Sequence, residues 1–182
     1  NNFSAIFVGG SLIMDSKYRN RVKIIKESVS LPVISFPASS SQIDDNFDAI
    51  LFLSLVSGRN PQYLIGEQVI SAPIIHSLGI EAIPVGYILL FGGKKTSVEI
   101  ISNTRSLPME NYDIVISHAL ASQYLGHKFI YLDCGSNSLE IINLELLSKI
   151  KEVVDIPIIV GGGIKDEIDI NEVYNAGADF IV

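Results

Sequence analysis

Three glycines, Gly161-Gly162-Gly163, follow the apolar run Ile158-Ile159-Val160 without a break. A short β-branched run closed by glycines reads as a buried strand that turns into a loop able to approach a ligand closely. A helix starting near Asp166 would aim free N–H groups at an anion, and phosphate is the guest such a loop suits. A plain flexible turn or a tightly packed one is the alternative. No Gly-Lys-Ser/Thr follows, so this is not a P-loop, and the glycine spacing is not that of a dinucleotide fingerprint. A second signal is Tyr131-Leu132-Asp133-Cys134-Gly135-Ser136-Asn137. Tyr131 and Asp133 fall on one face of a strand, at its C-terminal end. Asp133 is suited to accept a proton or hold a hydroxyl, and Gly135, Ser136 and Asn137 offer donors beside it. A structural turn would use similar residues.

Weaker signals surround these two. Ser11, after Gly9-Gly10, is placed to meet a metal or a diphosphate oxygen, or to end a plain turn. In Ser57-Gly58-Arg59-Asn60, Arg59 and Asn60 suit an anion, although Asn60 also suits a cap for the helix beginning at Pro61. Tyr87 reads as the wall of an apolar channel or as an ordinary core aromatic. His76, His118 and His127 lack metal-ligand spacing and read as structural. Cys134 adjoins Asp133, but no neighbouring base in the sequence supports it as a nucleophile.

These residues sit at the ends of short apolar runs. Seven runs read as strands: 4–8, 32–36, 49–53, one within 82–90, 128–133, 157–160 and 178–182. Most are continuously apolar, as strands buried on both faces of a parallel sheet are. Helical periodicity fills the gaps at 16–29, 60–78, 111–125, 143–153 and 168–176. Segment 41–47 leaves room for a short helix only, and 96–101 reads as an extra strand or a frayed extension. Alternating β and α elements point to a doubly wound sheet or a (β/α)₈ barrel. A barrel needs one more strand, which would precede residue 1.

Composition narrows the classes. The 182 residues are 48% apolar and only 18% charged, which suits one cored domain spanning 1–182. Thirteen Lys and Arg against twenty Asp and Glu give a net charge of −7. That disfavours bulk attraction to nucleic acid or to an acidic membrane. One cysteine excludes a disulfide framework. No apolar run reaches the length of a spanning helix, and no secretory signal pattern is present.

The combination resembles the geranylgeranylglyceryl phosphate synthase family, with its heptaprenylglyceryl phosphate synthase relatives. The matching stretches are Val8–Ser11, Leu31–Pro37, Ser54–Gly66, Ile83–Tyr87, Tyr131–Ser136 and Val160–Lys165. The resemblance implies an α/β fold, a modified TIM (β/α)₈ barrel, here expected to lack its first strand and the segment after its last. It implies transfer of a geranylgeranyl or similar prenyl group from the diphosphate to the primary hydroxyl of sn-glycerol 1-phosphate, with Mg²⁺. By the family pattern, glycerol phosphate is held by Tyr131, Leu132, Asp133, Cys134, Gly135, Ser136 and Asn137, and by Gly162 and Gly163. Ser11 helps to hold Mg²⁺, and Tyr87 faces the prenyl chain. Arg59 and Asn60 complete the expected binding residues, and Asp133 is the expected catalytic one. Cytoplasmic residence with transient membrane contact is inferred from the substrate chemistry and the lack of a targeting segment, and a homo-oligomer is expected.

The pattern departs from the family in named places. Asp133 stands where the family usually has Glu, which draws the carboxylate back by roughly one C–C bond, ~1.5 Å. Asn137-Ser138 replaces the usual Gly-Ala. No Asp-Pro-Asp-Lys-like stretch and no final Gly-Thr or Gly-Asn occurs. The 182-residue chain is accordingly expected to be incomplete at both ends and to fold and catalyse poorly alone. Another phosphate-binding barrel enzyme, an isomerase or aldolase of small sugar phosphates, and a barrel that binds without catalysis are the alternatives.

Overall fold

A computed structural model describes residues 3–182. The chain packs into two compact units. The first comprises the described residues up to Leu53 together with Pro61–Ile83. It contains β1 (Ile6–Gly10), α1 (Tyr18–Ser28), β2 (Val33–Pro37), most of β3 (Ala49–Leu55) and α2 (Glu67–Leu78). β1 pairs in parallel with β2, Ile6 opposite Val33, and β2 pairs in parallel with β3, Ile34 opposite Ala49. Val22 of α1 packs on Val33 and Phe47, and Ile75 of α2 packs with Ile43 and Ile50. The short helix expected at 41–47 is a single 3₁₀ turn, Ser40–Gln42. Helix α2 is entered through a π-helical turn, Gln62–Gly66, and ends at Gly79 in the left-handed conformation.

The second unit comprises Ser54–Asn60 and Pro84–Val182. It carries most of β4 (Glu81–Leu89), then α3 (Ser97–Ser102), α4 (Tyr112–Tyr124), β5 (Phe129–Asp133), α5 (Leu144–Val153), β6 (Ile158–Gly161), α6 (Glu167–Asn175) and β7 (Phe180–Ile181). β4, β5, β6 and β7 pair in parallel and in chain order. All seven strands anticipated from the sequence are present, with ends displaced by one or two residues. The pleat sends alternate side chains to opposite faces. Ile88, Ile130, Leu132, Ile158 and Val160 go to the helix side, where they meet Val115 and Ala119 of α4, Leu146, Leu147 and Ile150 of α5, and Val173 of α6. Each such aliphatic side chain contributes about 1.5–3 kcal/mol by leaving water. Tyr87, Tyr131, Asp133 and Gly161 therefore share the other face. The in-line register sets Tyr87 opposite Tyr131, and Asp133 opposite Gly161.

Segment 96–101 is neither a strand nor a frayed end. It is the first five residues of α3 and its N-cap, closed by a capping box. Thr96 Oγ1 accepts from Glu99 N at 3.2 Å, and Glu99 Oε2 accepts from Thr96 N at 2.8 Å. The Thr-x-x-Glu spacing outweighs the β-branched residues around it. Glu99 also takes Ser106 N at 3.2 Å and Ser106 Oγ at 2.9 Å, so the cap ties down the loop beyond the helix. These hydrogen bonds hold the Glu99 carboxyl below its usual range despite an opposing contribution from burial. Thr96→Ala is expected to cost about 0.5–2 kcal/mol, read as a lower midpoint in urea unfolding.

Candidate active site

β5 ends on Asp133 and β6 ends on Gly161, its partner in the ladder. The chain leaves β5 through Gly135 and Asn137, both at positive φ, and leaves β6 through Gly162 and Gly163, at φ 86° and 80°. These turns press together. A Cβ on Gly162 would lie 2.7 Å from both the N and O of Gly135 and 3.0 Å from Asp133 Oδ1. A Cβ on Gly163 would overlap the Glu140 carbonyl. Only glycine lets the two loops approach so closely, which brings a carboxylate against a glycine turn. The sequence anticipated that juxtaposition.

Asp133 is buried, and each of its carboxylate oxygens accepts one hydrogen bond. Gly135 N donates to Oδ1 at 2.8 Å, and the Tyr87 hydroxyl donates to Oδ2. Burial pushes the Asp133 carboxyl above the usual carboxylate range, while both donors pull it down. A raised carboxyl is a stronger base once ionised. The phenol of Tyr87 is pushed well above its ordinary value by burial and by the Asp133 charge, so it remains a proton donor. Tyr131 is pushed the same way, for the same two reasons. Its ring lies 5.4 Å from that of Tyr87, tilted by 34°.

The other expected residues divide. Ser136 and Asn137 are exposed on the turn, beside buried Gly135. Leu132 and Cys134 point into the helix-side core, not toward Asp133, because alternation forces their side chains across the sheet. Burial, with the Asp133 and Glu140 charges, pushes the Cys134 thiol to about 12, which removes it as a nucleophile. Tyr87 sits against the carboxylate; its hydroxyl was not anticipated there. Arg59 donates to Gly58 O at 2.7 Å and lies 3.3 Å from His118 Nε2, and Asn60 donates to Ser102 O at 2.7 Å. Ser11 is half-buried after β1 in the first unit.

Helix α6 does not offer its N-terminus as expected. Asp166 caps it, accepting from Ile168 N at 2.9 Å and Asp169 N at 3.0 Å. Those donors are taken, and Asp166, Glu167 and Asp169 make the helix start acidic. An anion at this edge would be met by the glycine turn itself. Sequence reasoning also missed Ser57, whose buried Oγ accepts from Leu89 N at 3.0 Å, one ladder step from Asp133. Among the described residues, no three His, Cys, Asp or Glu side chains converge to hold a metal ion. Ser11 supplies a single neutral oxygen.

The PcrB family pattern matches residues 2–182. The chain belongs to the PcrB family. This PcrB chain is 48% identical over 177 residues to a geranylgeranylglyceryl phosphate synthase of Flavobacterium johnsoniae, covering 97% of this chain and 73% of that one. A crystal structure of (S)-3-O-geranylgeranylglyceryl phosphate synthase from Thermoplasma acidophilum, in complex with substrate sn-glycerol-1-phosphate, superposes with a TM-score of 0.93 at 35% identity. It covers 100% of this chain and 73% of its own. Wild-type GGGPS from Thermoplasma volcanium gives a TM-score of 0.92 at 35% identity, covering 100% and 72%. The fold is thus the α/β fold of these synthases, the modified TIM-barrel class expected from the resemblance. Among the described residues, no helix is long and apolar enough to cross a membrane.

Proposed function

We propose that this PcrB chain transfers a long prenyl group from its diphosphate to the primary hydroxyl of sn-glycerol 1-phosphate, forming the first ether bond of an archaeal-type lipid. The observation that carries this reading is the buried Asp133 carboxylate set against the Gly162 turn, in a chain so close to named synthases. The glycine turn and the exposed Ser136–Asn137 turn hold the glycerol phosphate through N–H and side-chain donors. That places the acceptor hydroxyl at Asp133. The bond between prenyl C1 and the diphosphate oxygen breaks, and the diphosphate leaves with the electron pair. The glycerol oxygen bonds to C1, whose allylic cation character makes it receptive, and its proton passes to Asp133.

Mg²⁺ belongs to this reading as the counter-ion that the diphosphate brings, since hard cations of this kind are commonly held by phosphate oxygens and few protein ligands. Ser11 is one neutral ligand for it. Arg59 and Asn60 are proposed as further anion contacts. A homo-oligomer, cytoplasmic residence and brief membrane contact to release a greasy product complete the proposal.

The test is incubation with labelled geranylgeranyl diphosphate, sn-glycerol 1-phosphate and Mg²⁺, followed by extraction of the ether product. Product that requires all three supports the reading. No ether at saturating substrate, with geranylgeranyl and heptaprenyl donors alike, overturns it.

A further inference from the structure

The hydroxyl of Tyr87 is not where an apolar channel wall would put it. Tyr87 is buried and pairs with Tyr131, two residues back from Asp133, and its phenol reaches along the strands to Asp133 Oδ2. Gly135 N takes the other oxygen at 2.8 Å. One donor thus comes from β4 and one from the turn after β5, and together they fix the rotation of the carboxylate. We propose that Tyr87 is the positioning residue of Asp133, its O–H orienting the carboxylate beside the Gly162 turn and favouring its charged form.

A carboxylate accepts about four hydrogen bonds, so the two protein donors leave lone pairs for a substrate hydroxyl. Donation to the charged form lowers a carboxyl pKa, opposing the burial that raises this one. The titratable groups facing Asp133 are Tyr87 from β4 and Tyr131 from β5, while Cys134, just past β5 on the opposite face, feels only its charge. β6 and the turn after it contribute Gly161 and Gly162 at this edge, which carry no charge. The phenol is therefore the neighbour whose removal changes the proton affinity of Asp133 most directly. The inference rests on prenyl transfer for its catalytic consequence but not for the coupling itself.

Tyr87→Phe keeps the ring that packs on Tyr131 and deletes only the donor. The Asp133 carboxyl is followed by ¹³C NMR titration, its signal assigned by its loss in Asp133→Asn. In Tyr87→Phe it titrates at higher pH than in the wild type. In the transfer assay kcat falls on the order of 10- to 100-fold, KM for glycerol phosphate stays near wild type, and the acid limb of kcat/KM moves to higher pH. Tyr87→3-fluorotyrosine is the second probe. Its more acidic phenol is a stronger donor, so Asp133 titrates at lower pH. Superimposable Asp133 titrations in the wild type and both variants overturn the proposal, as does a reduced kcat with an unmoved acid limb. The NMR titration needs no substrate, so a wild type that makes no ether overturns the functional reading while the coupling is judged separately.

Discussion

Replacing Asp133 by Asn lowers kcat for ether formation on the order of 100- to 10,000-fold, the range over which a positioned general base contributes. The substitution is nearly isosteric. The Tyr87 hydroxyl can still donate to the remaining amide oxygen, and the strand pairing of Asp133 with Gly161 is backbone only. Proton acceptance is lost, and the amide NH₂ now faces one of the two donors. Asp133 is buried, so removing its charge also removes a desolvation cost, and thermal unfolding should shift little or even rise. The signature is a large fall in kcat with the fold intact. A variant that keeps most of its kcat would remove Asp133 from the chemistry and return it to a structural turn. The acid limb of the wild-type pH profile should lie above the ordinary carboxylate range, since burial raises this carboxyl. Activity is then present above that limb and lost as pH falls through it.

The second large effect is expected at Gly162. Its φ of 86° lies where a side chain costs about 1–2 kcal/mol. An alanine Cβ would also stand 2.7 Å from the Gly135 backbone, which cannot swing aside as a long side chain would. The loop must open, and with it goes the Gly135 N–H that holds Asp133 Oδ1. Gly162→Ala should therefore lose about 2–4 kcal/mol of stability in urea unfolding and both raise KM for glycerol phosphate and lower kcat. A displacement near 1 Å at a reacting group is worth on the order of 100-fold. Normal KM with normal stability would mean that the two turns are not the phosphate cradle. Gly163→Ala meets the Glu140 carbonyl instead and serves as a second test from the other side of the turn.

The contrast between what the sequence conveyed and what it hid has a physical basis. β-branched runs with glycine ends are strong, local signals, and they located all seven strands. The carboxylate and the triple glycine were legible because each follows its strand directly, and parallel strands in chain order carry such ends to one edge. The capping box at Thr96–Glu99 was equally local, but the β-branched Val98, Ile100 and Ile101 masked it. Tyr87 was harder. Its meeting with Asp133 depends on the β4–β5 register, spans 46 residues, and leaves no local trace. Leu132 and Cys134 came with Asp133 as part of the stretch that carries the family resemblance, and the pleat, which that stretch does not spell out, sends their side chains to the opposite face. At α6, the Asp166 that announces the helix also consumes the N–H groups that an anion would need.

The sealed thiol of Cys134 has a practical consequence. At 1% exposure it is out of reach of alkylating reagents in the folded state, and its raised pKa leaves little thiolate to react. It is also the only cysteine in the 182 residues. Labelling can therefore proceed only through excursions that open the helix-side core directly behind Asp133. The rate of alkylation in native buffer becomes a clock for breathing at the end of β5. A ligand seated on the opposite face of that strand should slow the clock, so occupancy can be followed by mass spectrometry without any turnover.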